Sequence, residues 1–101
     1  MNRRDSSGST PLIGASRNGD LAVLELLINN GAKINIRGRL GLTALHYAAW
    51  EHLEIVIMLL DSGADVSRKD ASDSTALDDA IYFGNKEIIR VLVLAELEVT
   101  N

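Results

Sequence analysis

The stretch Gly41-Leu42-Thr43-Ala44-Leu45-His46-Tyr47-Ala48 decides the fold, because its frame occurs three times in 101 residues. Gly8-Ser9-Thr10-Pro11-Leu12 precedes it by one period, and Asp73-Ser74-Thr75-Ala76-Leu77 follows it by another. Thr10, Thr43 and Thr75 mark the two steps, the second shorter than the first by a single position. Ala15, Ala48 and Ala80 follow in step. So do the aliphatic runs Leu24 to Leu27, Val56 to Leu59 and Ile89 to Leu92. Gly31-Ala32 and Gly63-Ala64 close the first two units. A fixed period of this length marks a repeat architecture, in which each unit buries its apolar face only against its neighbours. The chain therefore reads as one domain of three units, residues 5–37, 38–69 and 70–101.

Each unit predicts two short antiparallel helices. Thr10, Thr43 and Thr75 are N-caps, since a hydroxyl can accept from an orphan amide one turn on. Pro11 suits the first helical position, where a missing N–H costs nothing. Gly19 and Gly84 are placed to end first helices, as C-terminal glycines do. Asp20 and Asn85 are placed to cap second helices over 21–29 and 86–95, and the matching helix of unit two spans 53–62. Residues 34–40 and 66–72 link the units as extended, hairpin-like turns. Unit two lacks one residue between Glu51 and Leu53, which predicts a shortened turn with His52 in a left-handed conformation. Helices of eight to ten residues are marginal alone in water, so stacking must hold them. Leu12, Leu45 and Leu77 should form one buried row, and Leu27, Leu59 and Leu92 another.

Composition narrows the class. The chain is 47% hydrophobic, with a net charge of −4, no Cys, and four aromatics: Tyr47, Trp50, Tyr82 and Phe83. The absence of Cys excludes a disulfide framework and fits a reducing, intracellular setting, cytoplasmic or nuclear. The acidic balance argues against nucleic-acid binding, and no apolar run is long enough to span a membrane. The start of the chain carries no apolar segment of the secretory type.

Chemistry has little to work with. His46 and His52 are six residues apart, off one helical face, and no Cys accompanies them, so no zinc ligand set is expected. Asp78 and Asp79 are adjacent and do not face each other on a helix; they read as solvated or capping acids. The glycines sit at unit boundaries and make no phosphate loop. The expectation is a protein that is not an enzyme, with no cofactor, no metal and no small-molecule substrate.

The units resemble the ankyrin repeat, whose pattern runs Asp-x-x-Gly-x-Thr-Pro-Leu-His, then Ala-x-x-x-Gly, an aliphatic second helix and Gly-Ala-Asp. The resemblance covers residues 5–99. Asp5 and Asp70 take the hairpin Asp, where unit two has Gly38. His46 takes the motif's His, and Ile13 and Asp78 replace it in the other units. The resemblance implies an all-α solenoid of three helix-turn-helix units, with His46 tying its helix start to neighbouring backbone.

Relatives of this kind grip protein partners with their hairpin tips and the exposed side of their first helices, a concave face. Carried over by position, that face offers Arg4, Ser6, Ser7, Ser9, Arg17 and Asn18 in unit one. Unit two offers Arg37, Arg39, Leu40, Leu42, Trp50 and Glu51. Unit three offers Lys69, Ala71, Ser72, Ser74, Tyr82 and Phe83. Arg17, Trp50 and Tyr82 are equivalent and should stack in one row, with Trp50 exposed at its centre. Tyr47 should be packed between repeats. The expected partner-binding set is Arg17, Arg37, Arg39, Leu40, Leu42, Trp50, Tyr82 and Phe83, an aromatic centre with a basic edge.

Charge falls along the stack, from +2 in residues 1–37 to −1 in 38–69 and −5 in 70–101. The last helix is more apolar than its counterparts, and Glu96 replaces the Gly that would end it, so it should run on or fray. Three explanations stand for that apolar end. The chain is a fragment or minimal engineered array without a natural ligand, residues 96–101 fold back over the end, or the C-terminal repeat is a homodimer interface.

Overall fold

The computed structural model describes residues 10–100. Asp5, Arg4, Ser6, Ser7 and Ser9 of the expected set lie outside the described residues. Six helices follow in order: α1 (Pro11–Asn18), α2 (Leu21–Asn29), α3 (Ala44–Ala48), α4 (Leu53–Asp61), α5 (Ala76–Phe83) and α6 (Lys86–Thr100), with a 3-10 turn at Arg39–Gly41. Each consecutive pair packs as a unit. The first helices α1, α3 and α5 stack in one layer, and the second helices α2, α4 and α6 in the other. This is an all-α helix-turn-helix solenoid.

The caps explain where the helices start. Thr10 Oγ1 accepts from the Ile13 N–H at 3.2 Å, Thr43 Oγ1 from His46 at 3.3 Å and Thr75 Oγ1 from Asp78 at 3.2 Å. In α3 and α5 the box is reciprocal, because the His46 and Asp78 side chains take the cap amides of Thr43 and Thr75. Asp20 and Asn85 accept from Val23 and Ile88. Satisfying these amides lets such short helices begin without orphan donors.

The shortened turn of repeat two is resolved differently from the expectation. His52 is not left-handed; its φ is −117° and it is the residue before α4. The missing residue is absorbed by ending α3 early and tightening the chain. Trp50 and Glu51 donate to the carbonyls three residues back, Tyr47 and Ala48, each at 3.3 Å. The His52 ring then lies over Gly19, where a Cβ would come within 2.6 Å of its Cε1. Gly19 has φ +75° as well, so the backbone conformation favours glycine there, and a Cβ would displace the His52 ring.

The loops between repeats contain no strand among the described residues, yet each closes like a hairpin. Gly38 donates to Leu42 O at 2.8 Å and Asp70 to Ser74 O at 2.9 Å. The two turns are joined by Ala71 N–H to Leu40 O at 2.8 Å. Further along, Asn35 Nδ2 donates to Gly63 O at 3.1 Å and Asn35 Oδ1 accepts from Asp65 N–H at 2.7 Å. One side chain thus ties the first loop to the second.

A single aliphatic core runs through the stack. Leu12, Leu24, Leu45, Ile55, Val56, Leu59, Ile88 and Leu92 are all buried, with Ala44, Ala48, Ala76 and Ala80 where helices approach closely. Two members of the expected rows, Leu27 and Leu77, are only partly buried, whereas their row partners Leu12, Leu45, Leu59 and Leu92 are buried. Residues 96–100 extend α6 in line, so they do not fold back over the apolar end.

Candidate functional site

The aromatic residues form one continuous ribbon along the first-helix layer. The Arg17 guanidinium carbon sits 5.8 Å from the Tyr47 ring centroid. Tyr47 and Trp50 meet edge to face at 4.9 Å, Trp50 and Phe83 at 5.7 Å, and Phe83 and Tyr82 edge to face at 5.2 Å. These separations are those of attractive ring pairs. The ribbon is progressively uncovered from repeat two to repeat three: Tyr47 is 8% exposed, Phe83 54% and Tyr82 84%.

A register rule generates this row. The residue seven places after each N-cap Thr reaches the residue four places after the next one. Arg17 stacks on Tyr47 in that way, and Trp50 Nε1 donates to Asp79 Oδ2 at 3.3 Å. Trp50 is consequently half-buried rather than exposed, wedged between Tyr47 and Phe83. Asp79 is not a solvated or capping acid, since it holds the indole. Sequence reasoning missed this pair, although the equivalence of Gly14, Tyr47 and Asp79 was visible.

The hairpin supplies the other half of the face. Arg37 and Arg39 are exposed, and Leu40 is 66% exposed with φ 59°. Leu42 packs against the core and is only partly exposed, so it serves the hairpin's seat rather than its tip. Strain in repeat two therefore sits at Leu40, in the turn that precedes α3, and not at His52.

His46 lies beneath this face and is 1% exposed. Its Nδ1 accepts from Thr43 N–H at 3.1 Å, which assigns the ring proton to Nε2. That N–H donates to Ser74 O at 2.8 Å. His46, Asp70 and Asp79 bring ligand atoms within 4.8 Å of one another. All three are committed to protein hydrogen bonds: Asp70 takes the Ser72 and Ser74 amides, and Asp79 takes Trp50. The trio is therefore read as part of the repeat-to-repeat seam.

Burial pushes the Asp79 carboxyl above the ordinary value of 3.8, with the Trp50 bond opposing and the nearby Asp70 and Asp78 charges adding to the rise. A raised carboxyl makes ionisation harder in the folded state, so its stabilising contribution is full below 3.8 and falls as pH rises through the higher folded value. Trp50 fluorescence is expected to titrate with a midpoint above 3.8. Asp79→Asn should abolish that titration and leave stability at neutral pH equal or higher, because the amide oxygen still accepts from the indole. A midpoint unchanged by Asp79→Asn would contradict the assignment.

Comparison with known proteins follows the same seam. Residues 1–70 match the family described as ankyrin repeats (3 copies), and residues 50–93 that described as ankyrin repeats (many copies). The chain is 37% identical over 86 residues to serine/threonine-protein kinase 12 of Arabidopsis thaliana, covering 84% of this chain and 19% of that protein. It is 35% identical over 99 residues to the E3 ubiquitin-protein ligase XBAT33 of the same plant, covering 94% and 19%. Oxysterol-binding protein-related protein 1 of Rattus norvegicus is 38% identical over 91 residues, covering 80% and 10%. The chain thus spans about a fifth or less of these curated relatives. No helix among the described residues is long and apolar enough to cross a membrane. Three helix pairs, each opened by a capping threonine, hairpin ties between units and these matches together make this chain a member of the ankyrin-repeat family.

Proposed function

We propose that this chain is a non-enzymatic protein-interaction module of intracellular proteins, binding a protein partner through the first-helix and hairpin face. The observation that carries the reading is the aromatic ribbon from Arg17 to Tyr82, whose outer rings are uncovered although the core is aliphatic. Tyr, Trp and Arg are the side chains that dominate binding energy at interfaces. Trp50 is held in place by Asp79 and Tyr47, so the ribbon is pre-organised and loses little freedom on binding. The kinase and ligase activities in the relatives' names are those of proteins of which this chain matches about a fifth of the length.

The test is Tyr82→Ala against a partner captured on the chain and identified by mass spectrometry. Tyr82 contacts Phe83 and is otherwise exposed, so the melting midpoint should hold while affinity falls about tenfold or more, as at a hot spot. Unchanged affinity would refute the reading.

Self-association is a second reading, favoured by one observation. Ile81 is 57% exposed, although its equivalents Ser16 and Ala49 are fully buried against the next repeat. Leu94 at 57% lies on the same last repeat. Sedimentation that gives a dimer in the native chain and a monomer in Ile81→Ser would establish it; a monomer in both would dismiss it.

A further inference from the structure

We infer that the hairpin end of this face is built for an acidic segment of a partner, one whose carboxylates flank an aliphatic or aromatic side chain. The inference rests on the interaction reading above and gives its partner a chemistry. Two independent observations carry it.

The first is charge. Among the described residues Arg68 pairs with Asp65 and Lys69 with Asp73, and Glu51 lies 3.8 Å from His52 Nε2. Arg17, Arg37 and Arg39 have no carboxylate partner among the described residues, in a chain whose net charge is −4. Acids are in excess, yet Arg37 and Arg39 of the hairpin, exposed beside Leu40, have none among the described residues. Unpaired guanidinium groups are planar forks suited to carboxylates, and complementary charge fixes both encounter and register.

The second is Leu40. It is a large apolar residue at φ 59°, ψ 20°, in a turn closed by Gly41 N–H to Gly38 O at 3.1 Å. A left-handed residue at the third position of such a turn is ordinarily Gly or Asn. Leu40 satisfies no core there, since it is 66% exposed. Its carbonyl is pinned by Ala71 N–H, so the side chain is carried on a fixed backbone. An apolar side chain held in a strained conformation, facing water and flanked by Arg39, is an anchor without its partner.

A long polyanion such as nucleic acid fits poorly. Repeat three presents exposed Asp73 and Asp78 beside the hairpins, and would repel a uniform anion. A short segment that sets its carboxylates over the repeat-two hairpin and only an apolar side chain toward Phe83 and Tyr82 avoids that cost.

The experiment selects a fully random library of phage-displayed peptides against the immobilised full chain and sequences the survivors. Peptides of about ten residues suffice, because that length extended spans ~33 Å, the longest dimension of the stack being 32 Å. Enriched clones should be net acidic, with Leu, Ile or Phe set between Asp and Glu. Their affinity should fall about tenfold or more in Leu40→Gly and in the Arg37→Ala, Arg39→Ala double variant, as for hot-spot losses. Leu40→Gly should keep or raise the melting midpoint, because glycine adopts the left-handed conformation freely. Leu40→Asn, also tolerant of that conformation, should behave alike. Neutral or basic winners that depend on Tyr82 would overturn this inference and leave the interaction reading standing. An absence of enrichment would overturn both. A lowered midpoint in both Leu40 variants would show that Leu40 serves the fold, and would overturn the anchor.

Discussion

Leu59→Ala is expected to cost about 2–5 kcal/mol, the range for truncating a buried aliphatic with a cavity left behind. Leu59 is 0% exposed, in the middle helix of the second layer. It therefore has a repeat on either side, and no surface movement can fill the space. Domains are stable by only about 5–15 kcal/mol in total, so this one change removes a large share. Urea denaturation followed by circular dichroism measures it. Leu26→Ala is the control, since Leu26 is 61% exposed on α2 and should stay within about 0.5 kcal/mol. Equal losses in the two variants would mean that the core is not where the packing places it.

His46→Ala comes next in size, at about 2–4 kcal/mol, from a buried cavity together with stranded polar groups. The truncation leaves the Thr43 amide and the Ser74 carbonyl without their imidazole partner. The second of these bonds crosses from repeat two to the start of repeat three. In a linear stack, stability is a sum of repeat and neighbour-interface contributions, so its loss should loosen repeat three selectively. Trp50 touches Phe83 and Asp79 of that repeat and reports on the seam. Its fluorescence should change at lower urea than the helical signal in His46→Ala, while the two coincide in the parent chain. Coincident transitions at the parent midpoint would contradict the tie.

The repeat frame was legible because it rests on local rules repeated three times. Threonine caps, Gly19, Gly84 and the aliphatic stripes each dictate structure within one helix turn. The response to the missing residue was not legible. Either a left-handed His52 or a tightened helix end could close that turn, and the choice depends on the His52 ring settling over Gly19, a contact between repeats. Leu40 escaped for a related reason. Its left-handed backbone goes with a bond from Ala71 in the following turn, a contact between hairpins that Leu40 itself does not signal. The aromatic face was half legible. Equivalent positions placed Arg17, Trp50 and Tyr82 in register. Whether Trp50 lies open or wedged depends on Asp79 and Phe83, which approach it only after stacking. Leu42 likewise could be separated from Leu40 only by seeing which of them turns toward the core.

The proposed binding surface is the first-helix and hairpin face. Chemical-shift mapping by nuclear magnetic resonance, on the labelled chain titrated with a peptide enriched from the library, tests it most directly. The Trp50 indole N–H and the amides of Arg39, Leu40, Tyr82 and Phe83 are expected to move together and saturate at one peptide per chain. Shifts confined to the outer layer, around Leu26, Ile57 and Leu94, with the Trp50 indole unmoved, would contradict it.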